Sequence, residues 1–250
     1  MGDKEVSIFS TAASKLCHFL LPNLCTLCRE YLDSNQHSIC SDCTAELPWL
    51  NNQCQHCAIP LAGNIICPEC QQRPPIFRRC IAPLQYQQPI NRLIKPLKTD
   101  INAPEFRQLS RYLANTVRDT YKSGNTPQVL VPMPLHWRTL ARRGYNQSYI
   151  IAKQLCAILG QSAVASNSLY RHRYSKPQHL QTKRDRLRSM VNAFGVRHSH
   201  AIKGIKLALI DDVVTTGASA QSAAACLVNA GALSVDIWCI ARTGWHNNPT

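Results

Sequence analysis

Two adjacent carboxylates followed by small and hydroxylated residues make LALIDDVVTTGAS, Leu207 to Ser219, the stretch richest in chemistry. Asp211 and Asp212 side by side suit the vicinal hydroxyls of a sugar as acceptors, and can help hold Mg²⁺ directly or through water. Val213 and Val214 carry the chain from the acids to Thr215, Thr216, Gly217, Ala218 and Ser219, a turn running into a helix. A helix start offers free N–H groups and a positive dipole end, which together cradle a phosphate. Gly217 allows close backbone approach, and the hydroxyls add donors. An ordinary strand–turn–helix with Ser219 as its cap explains Ser219 but not paired acids ahead of TTGAS. The chemistry implied is recognition of a phosphorylated sugar.

A second constellation is built on sulfur. Eight of the 13 cysteines form four CxxC pairs: Cys25/Cys28, Cys40/Cys43, Cys54/Cys57 and Cys67/Cys70. A CxxC turn aims two thiolates at one centre, and two turns complete a tetrahedral zinc shell. The stretches between them are too short to bury a core, so metal must supply much of their folding free energy. Sequential pairing, giving one or two zinc ions in Cys25/28/40/43 and Cys54/57/67/70, suits the roughly ten-residue gaps; cross-bracing and disulfides remain as alternatives. His18, His37 and His56 read as surface residues, since cysteines fill both shells. From Cys25 to Cys70 the basic Arg29 is outnumbered by Glu30, Asp33, Asp42, Glu46 and Glu69, which favours a structural clip or protein-docking knob over a nucleic-acid ribbon. Cys226 and Cys239 lie in apolar runs as small hydrophobes.

Charge adds a third feature. The chain of 250 residues carries +14, and between Arg138 and Lys206 fourteen basic residues face the single acid Asp185. This concentration points to polyanions: nucleic acid, phosphorylated small molecules or anionic lipid. The opening MGDKEV lacks the basic start of a signal peptide, no apolar run approaches the ~18–20 residues of a membrane span, and paired cysteines then favour metal over disulfides in a cytoplasmic protein.

The elements that must position these groups follow from periodicity. Ile8–Leu21 has helical spacing and ends at Pro22, giving an N-terminal helix over 1–22; the cysteine module occupies 23–80. From 81 to 250 strand and helix patterns alternate: a strand in Ile81–Tyr86, helices in Ile90–Leu97 and Phe106–Tyr121, and a strand in Val129–Met133. A long helix spans Leu140–Leu159, a strand Ala163–Leu169 and a basic helix Leu180–Val191. A buried strand spans Ile205–Ile210, an Ala-rich helix Ala218–Ala230 and a last strand Leu233–Ala241. Such alternation predicts an α/β fold with a mostly parallel sheet covered on both faces. Asp211 and Asp212 then emerge at the carboxyl end of a central strand, where open α/β sheets bind ligands.

The run from Ile210 to Ser219 resembles the 5-phosphoribosyl-1-pyrophosphate (PRPP) signature of type I phosphoribosyltransferases. Val131-Pro132-Met133-Pro134-Leu135-His136, Arg143-Gly144-Tyr145-Asn146-Gln147, the basic stretch Arg171–Arg188, the CxxC ribbons and Trp238-Cys239-Ile240-Ala241-Arg242 further resemble the ComF family. Ser175 and Ser189 are minor departures. The resemblance implies a type I phosphoribosyltransferase fold with an N-terminal double zinc ribbon, and PRPP with Mg²⁺ held at Asp211–Ser219. It implies that Pro134, Leu135, His136, Arg143, Gly144, Asn146 and Gln147 face pyrophosphate or an acceptor. Arg171, Arg173, Lys176, Gln178, Lys183, Arg184, Arg186 and Arg188 would form a mobile hood over PRPP or a wall tracking a DNA backbone.

Two function classes follow. In one, implied by the resemblance, the protein takes part in uptake of single-stranded DNA for natural transformation or DNA utilisation, with PRPP as ligand or regulator and a ComFA-type helicase as partner. In the other it is a Mg²⁺-dependent phosphoribosyltransferase on an unidentified acceptor, or a PRPP sensor. His136, His172 and His179 are candidate bases for the enzyme. The basic stretch exceeds what one PRPP needs and favours nucleic acid.

Overall fold

The computed structural model describes residues 24–32, 38–63, 65–122, 124–160, 163–172 and 193–244. The N-terminal helix expected over 1–22, the basic helix Leu180–Val191, and Arg173, Lys176, Gln178, Lys183, Arg184, Arg186 and Arg188 lie outside the described residues.

Two compact units divide between Leu47 and Pro48, so the second set of four cysteines belongs to the same unit as the sheet. In the first unit an antiparallel bridge joins Leu24 to Tyr31, and a short helix α1 spans Ser41–Ala45, its first turn capped by Cys40.

The larger unit contains α2 (Pro68–Gln72), β1 (Cys80–Ile81), β2 (Leu84–Gln85), α3 (Ile90–Ile94), a 3₁₀ turn at Pro96–Lys98, α4 (Glu105–Thr120), β3 (Val129–Pro132), α5 (Trp137–Arg143), α6 (Gln147–Leu159), β4 (Leu169–Arg171), β5 (Phe194–Val196), β6 (Lys206–Val214), α7 (Ala218–Asn229) and β7 (Ser234–Arg242). Its main sheet runs β1-β7-β6-β3, with β2 continuing on β7, and every pairing in it is parallel. β4 and β5 form a separate antiparallel pair.

Period-two alternation sorts the side chains of the central strands. Leu207 and Leu209 of β6 and Val235, Ile237 and Cys239 of β7 share a cluster with Ala220, Ala223, Ala224 and Leu227 of α7. Small alanines let that helix lie close on the sheet. Trp238, fully buried, donates its indole N–H to Tyr121 after α4. α4 buries Phe106, Leu109, Leu113 and Val117 at helical spacing, and α6 buries Ile151, Ala152 and Leu155. Each fully buried large side chain contributes about 2–3 kcal/mol of transfer free energy. The result is the expected α/β fold with helices flanking a parallel sheet.

Four expectations need correction. The helix expected over Leu140–Leu159 is two, because Gly144 adopts φ 82° as the left-handed C-cap of α5 and Asn146 caps α6 by accepting from the Ser148 N–H. Ala163–Leu169 is not a strand; it contributes one bridge at Val164 to Leu130, while β4 begins at Leu169. The strand expected over Ile81–Tyr86 is interrupted at Ala82–Pro83, giving β1 and β2, since proline cannot donate to the ladder. Finally, β6 does not stop at Ile210: its pairing with β7 continues to Val214 opposite Arg242. The acid pair therefore lies within the last residues of the strand, held by the ladder rather than by a loop.

Candidate functional site

Placement of the acids on β6 brings them beneath the N-terminus of α6. Ser148 Oγ donates to Asp211 Oδ1 at 3.2 Å, and Gln147 Nε2 donates to Asp212 Oδ1 at 3.4 Å. The Asp212 N–H also donates to Asp211 Oδ1, at 2.9 Å. Asn146 Nδ2 donates to the Met133 carbonyl at 3.0 Å, tying the RGYNQ segment to the end of β3. Arg143 donates to Gln147 Oε1, so its described role is to orient the glutamine that holds Asp212.

The two acids differ in kind. Asp212 is buried and forms an ion pair with Lys98 Nζ, 3.1 Å from Oδ2. Burial pushes its pKa up, but the Lys98 charge and hydrogen bonds from Asp211, Lys98 and Gln147 outweigh it and hold the carboxyl below its ordinary value. Asp211 is half-buried. Burial, then the neighbouring Asp212 charge, push its pKa well above the ordinary carboxylate value. A cation arriving beside it would oppose that shift. Burial lowers the pKa of Arg171, at the end of β4, against the opposing pull of the Asp211 charge.

Beyond Val214 the chain turns through Thr215 and Thr216 to Gly217, at φ 80°, which caps the 12-residue helix α7. The left-handed geometry is what a glycine supplies here. Thr216 Oγ1 accepts from the Ala218 N–H at 3.3 Å, so a threonine side chain ties the turn to the start of the helix. Val213 and Thr215 are half-buried and Thr216 is exposed; Val214 is buried. The turn is thus an open, hydroxyl-bearing helix start beside Asp211.

The neighbouring strand β3 delivers the other expected loop. Met133 donates its N–H to Ile210 O at 2.8 Å, and Pro134 and Leu135 are half-buried. His136 is buried and caps α5, its Nδ1 accepting from the Arg138 N–H at 3.2 Å. Burial, then the charges of Arg138 and Arg171, lower its pKa, against a hydrogen bond to the His172 backbone. A neutral imidazole accepting at Nδ1 carries its proton on Nε2, so His136 serves as a cap and donor rather than a base. Next to it, α5 buries none of its residues. Trp137 is 64% exposed and Leu140 42%, and the Arg138 guanidinium lies 5.3 Å from the Trp137 ring centroid.

Lys98 and Ser148 were not read from the sequence as site residues. Lys98 follows Ile94 by four residues, on the stripe with buried Ile90 and Leu97. A lysine on an apolar stripe was the available signal.

Both cysteine sets assemble as sequential pairing requires: the sulfurs of Cys25, Cys28, Cys40 and Cys43, and those of Cys54, Cys57, Cys67 and Cys70, lie within 4.8 Å of one another. The Cys28–Cys40 and Cys57–Cys67 sulfur separations are both 3.7 Å, close to the ~3.8 Å edge of a tetrahedron with Zn–S of ~2.3 Å. Against burial, backbone hydrogen bonds bring the Cys25 thiol to about 6 and the Cys54 thiol to about 7. Burial and crowding push Cys57 up to about 12, and raise Cys43 and Cys70 further. Each set places four sulfurs at tetrahedral separations around one centre, so the residues fit structural zinc. The four cysteines of each set would hold one ion. No helix among the described residues is long and apolar enough to cross a membrane.

A double zinc ribbon domain matches residues 16–71. The DNA utilization protein YhgH of Salmonella typhimurium is 33% identical over 226 residues, covering 89% of this chain and 98% of its own. Competence protein F of Haemophilus influenzae is 28% identical, over 87% and 96% of the two chains. Competence protein ComFC of Bacillus subtilis is 25% identical, over 85% and 88%. A purine phosphoribosyltransferase of Pyrococcus horikoshii superposes on 54% of this chain and 70% of its own, with TM-score 0.34 and 20% identity. Ribbons and sheet together define a double-zinc-ribbon protein with a parallel α/β unit. Within that class, the chain belongs to the family of the DNA utilization protein YhgH, and it is similar to competence proteins F and ComFC.

Proposed function

We propose that this protein binds PRPP with Mg²⁺ at the end of β6 and serves the uptake or utilisation of single-stranded DNA. The observation that carries the ligand reading is the half-buried Asp211 carboxylate, held by Ser148, beside the open turn that starts α7. Asp211 accepts from the ribose hydroxyls, with Asp212 behind it fixing its position. The N–H groups and hydroxyls of Thr215–Ser219 take the 5-phosphate, and the Pro134–His136 loop and Arg171 lie on the pyrophosphate side. Bound Mg²⁺ supplies charge neutralisation for the pyrophosphate.

Support for nucleic acid comes from α5 and the start of α6. An exposed tryptophan with a stacked guanidinium, on the same helix as Arg142 and followed on α6 by Tyr149 with Lys153 Nζ 5.9 Å from its ring centroid, offers base stacking and phosphate neutralisation together. The relatives named for DNA utilization and competence favour the same reading. The enzyme reading has no observation of equal weight, since His136 is committed at both ring nitrogens.

Binding of a labelled oligo-dT to the full chain tests the nucleic-acid half, and affinity falls linearly in log–log salt plots with a slope near −0.7 per phosphate neutralised. Salt-independent binding, or none, sends the function to a phosphoribosyltransferase or a sensor. In cells, Asp211→Asn lowers DNA uptake or growth on DNA; undiminished uptake separates the ligand site from the DNA role.

A further inference from the structure

Arg242 closes β7 and is almost fully buried, yet among the described residues no carboxylate pairs with it. Its guanidinium is satisfied by backbone carbonyls instead. Nε donates to Cys57 O at 2.8 Å, and Nη1 donates to Val214 O at 3.2 Å, to Thr215 O, and to Thr243 O at 3.1 Å. One side chain thus ties a knuckle of the second cysteine set to the first two peptides of the turn after β6.

Two physical consequences follow. First, the C=O and N–H of a trans peptide point in opposite directions. Drawing the Val214 and Thr215 carbonyls inward onto Arg242 turns the N–H groups of Thr215 and Thr216 outward, toward the place where an anion would lie. Second, a buried cation is costly without opposite charge. Four thiolates around Zn²⁺ form a dianion, and Arg242 holds the carbonyl of one of those four ligands. A metal-loaded cluster would supply that charge through the ligand whose carbonyl Arg242 holds.

We infer that Arg242 is a positioning residue for the phosphate-binding turn, and that the metal in the Cys54/Cys57/Cys67/Cys70 centre supports it, so that zinc occupancy and order of Thr215–Ser219 are coupled. The inference rests on the proposed ligand site for its purpose, but not for its test. It gives the second ribbon a task besides clipping the chain: a metal centre built into the back wall of the pocket.

Amide hydrogen exchange of the full-length, ligand-free protein reads the coupling directly. Stripping zinc with a chelator raises exchange at Thr243, whose N–H donates to the Val214 carbonyl at 3.1 Å, and at Ala218, whose N–H donates to Thr216 Oγ1 at 3.3 Å, by about tenfold or more, the weight of a charge-assisted hydrogen bond, while Leu207–Leu209 stay protected. Arg242→Lys, which keeps the charge but loses the planar fork, gives the same local rise with zinc content unchanged. Loop exchange indifferent to both perturbations overturns the inference, as does equal loss of protection at Leu207–Leu209, which marks general unfolding. Because no PRPP is present, failure here is distinct from failure of the ligand reading. If PRPP does bind, Arg242→Lys weakens it about tenfold.

Discussion

Lys98→Met tests the electrostatic design of the acid pair with little change in shape, since methionine keeps most of the aliphatic stem. In the wild type Nζ lies 3.1 Å from Asp212 Oδ2, and the two side chains are 39% and 8% exposed. Unit charges at that separation attract by about 5 kcal/mol at an effective dielectric of 20. Exposure of Lys98 and the desolvation of Asp212 reduce the net value to about 1–3 kcal/mol. The pH dependence follows from the two shifts. Asp212 is held below its ordinary value, so its contribution is complete above about pH 4 and is lost as pH falls through the folded pKa. Lys98 is raised by the Asp212 charge against burial, so its contribution is complete below about pH 10 and is lost as pH rises through its folded value. In the variant burial of Asp212 is opposed only by its hydrogen bonds to Asp211 and Gln147, its pKa climbs, and it sheds the cost by protonation as pH drops. Urea unfolding of both proteins reads the difference, which is largest near neutrality and narrows toward about pH 4. A difference that stays constant from neutrality to that pH, or that vanishes at neutrality, refutes the assignment.

Arg78→Met strands Asp236, which sits 1% exposed and accepts from Arg78 Nε at 2.9 Å and from the Tyr121 hydroxyl; thermal and urea unfolding should show a loss of about 3–5 kcal/mol, whereas an unaltered midpoint contradicts the network. Trp137→Ala leaves stability within about 0.5 kcal/mol because the ring is exposed, and weakens oligo-dT binding about tenfold through lost stacking; unchanged affinity removes α5 from the DNA surface. Gly144→Ala costs about 1 kcal/mol or more, because φ 82° strains any L residue even though open space surrounds the added methyl; a neutral effect shows that α5 and α6 can join in another way.

Much of this architecture was legible in the chain. Leu207–Ile210 announced a central strand by an unbroken apolar run, and Ala218–Ala230 announced its helix by small residues at helical spacing. CxxC spacing gave the sequential metal sets because each ligand lies near its partners in sequence. What escaped notice depends on contacts distant in sequence. Continuation of β6 through Asp211–Val214 is enforced by pairing with β7, against the usual avoidance of acids in strands. Lys98 reaches Asp212 across more than a hundred residues. Arg242, read as part of a closing motif, acquires its role only when β7 lies between Cys57 and Thr215. The break at Gly144 was readable from the glycine and the Asn146 cap, but the helical periodicity around it won.

Isothermal titration of Mg²⁺–PRPP into the wild-type protein and Asp211→Asn addresses the central claim most directly. Saturable Mg²⁺-dependent binding at one site per chain, weakened about tenfold or more in the variant through loss of a charged acceptor, is the result expected. No heat with the wild type, or equal affinity in the two proteins, contradicts the assignment of this turn and its acid pair as a PRPP pocket.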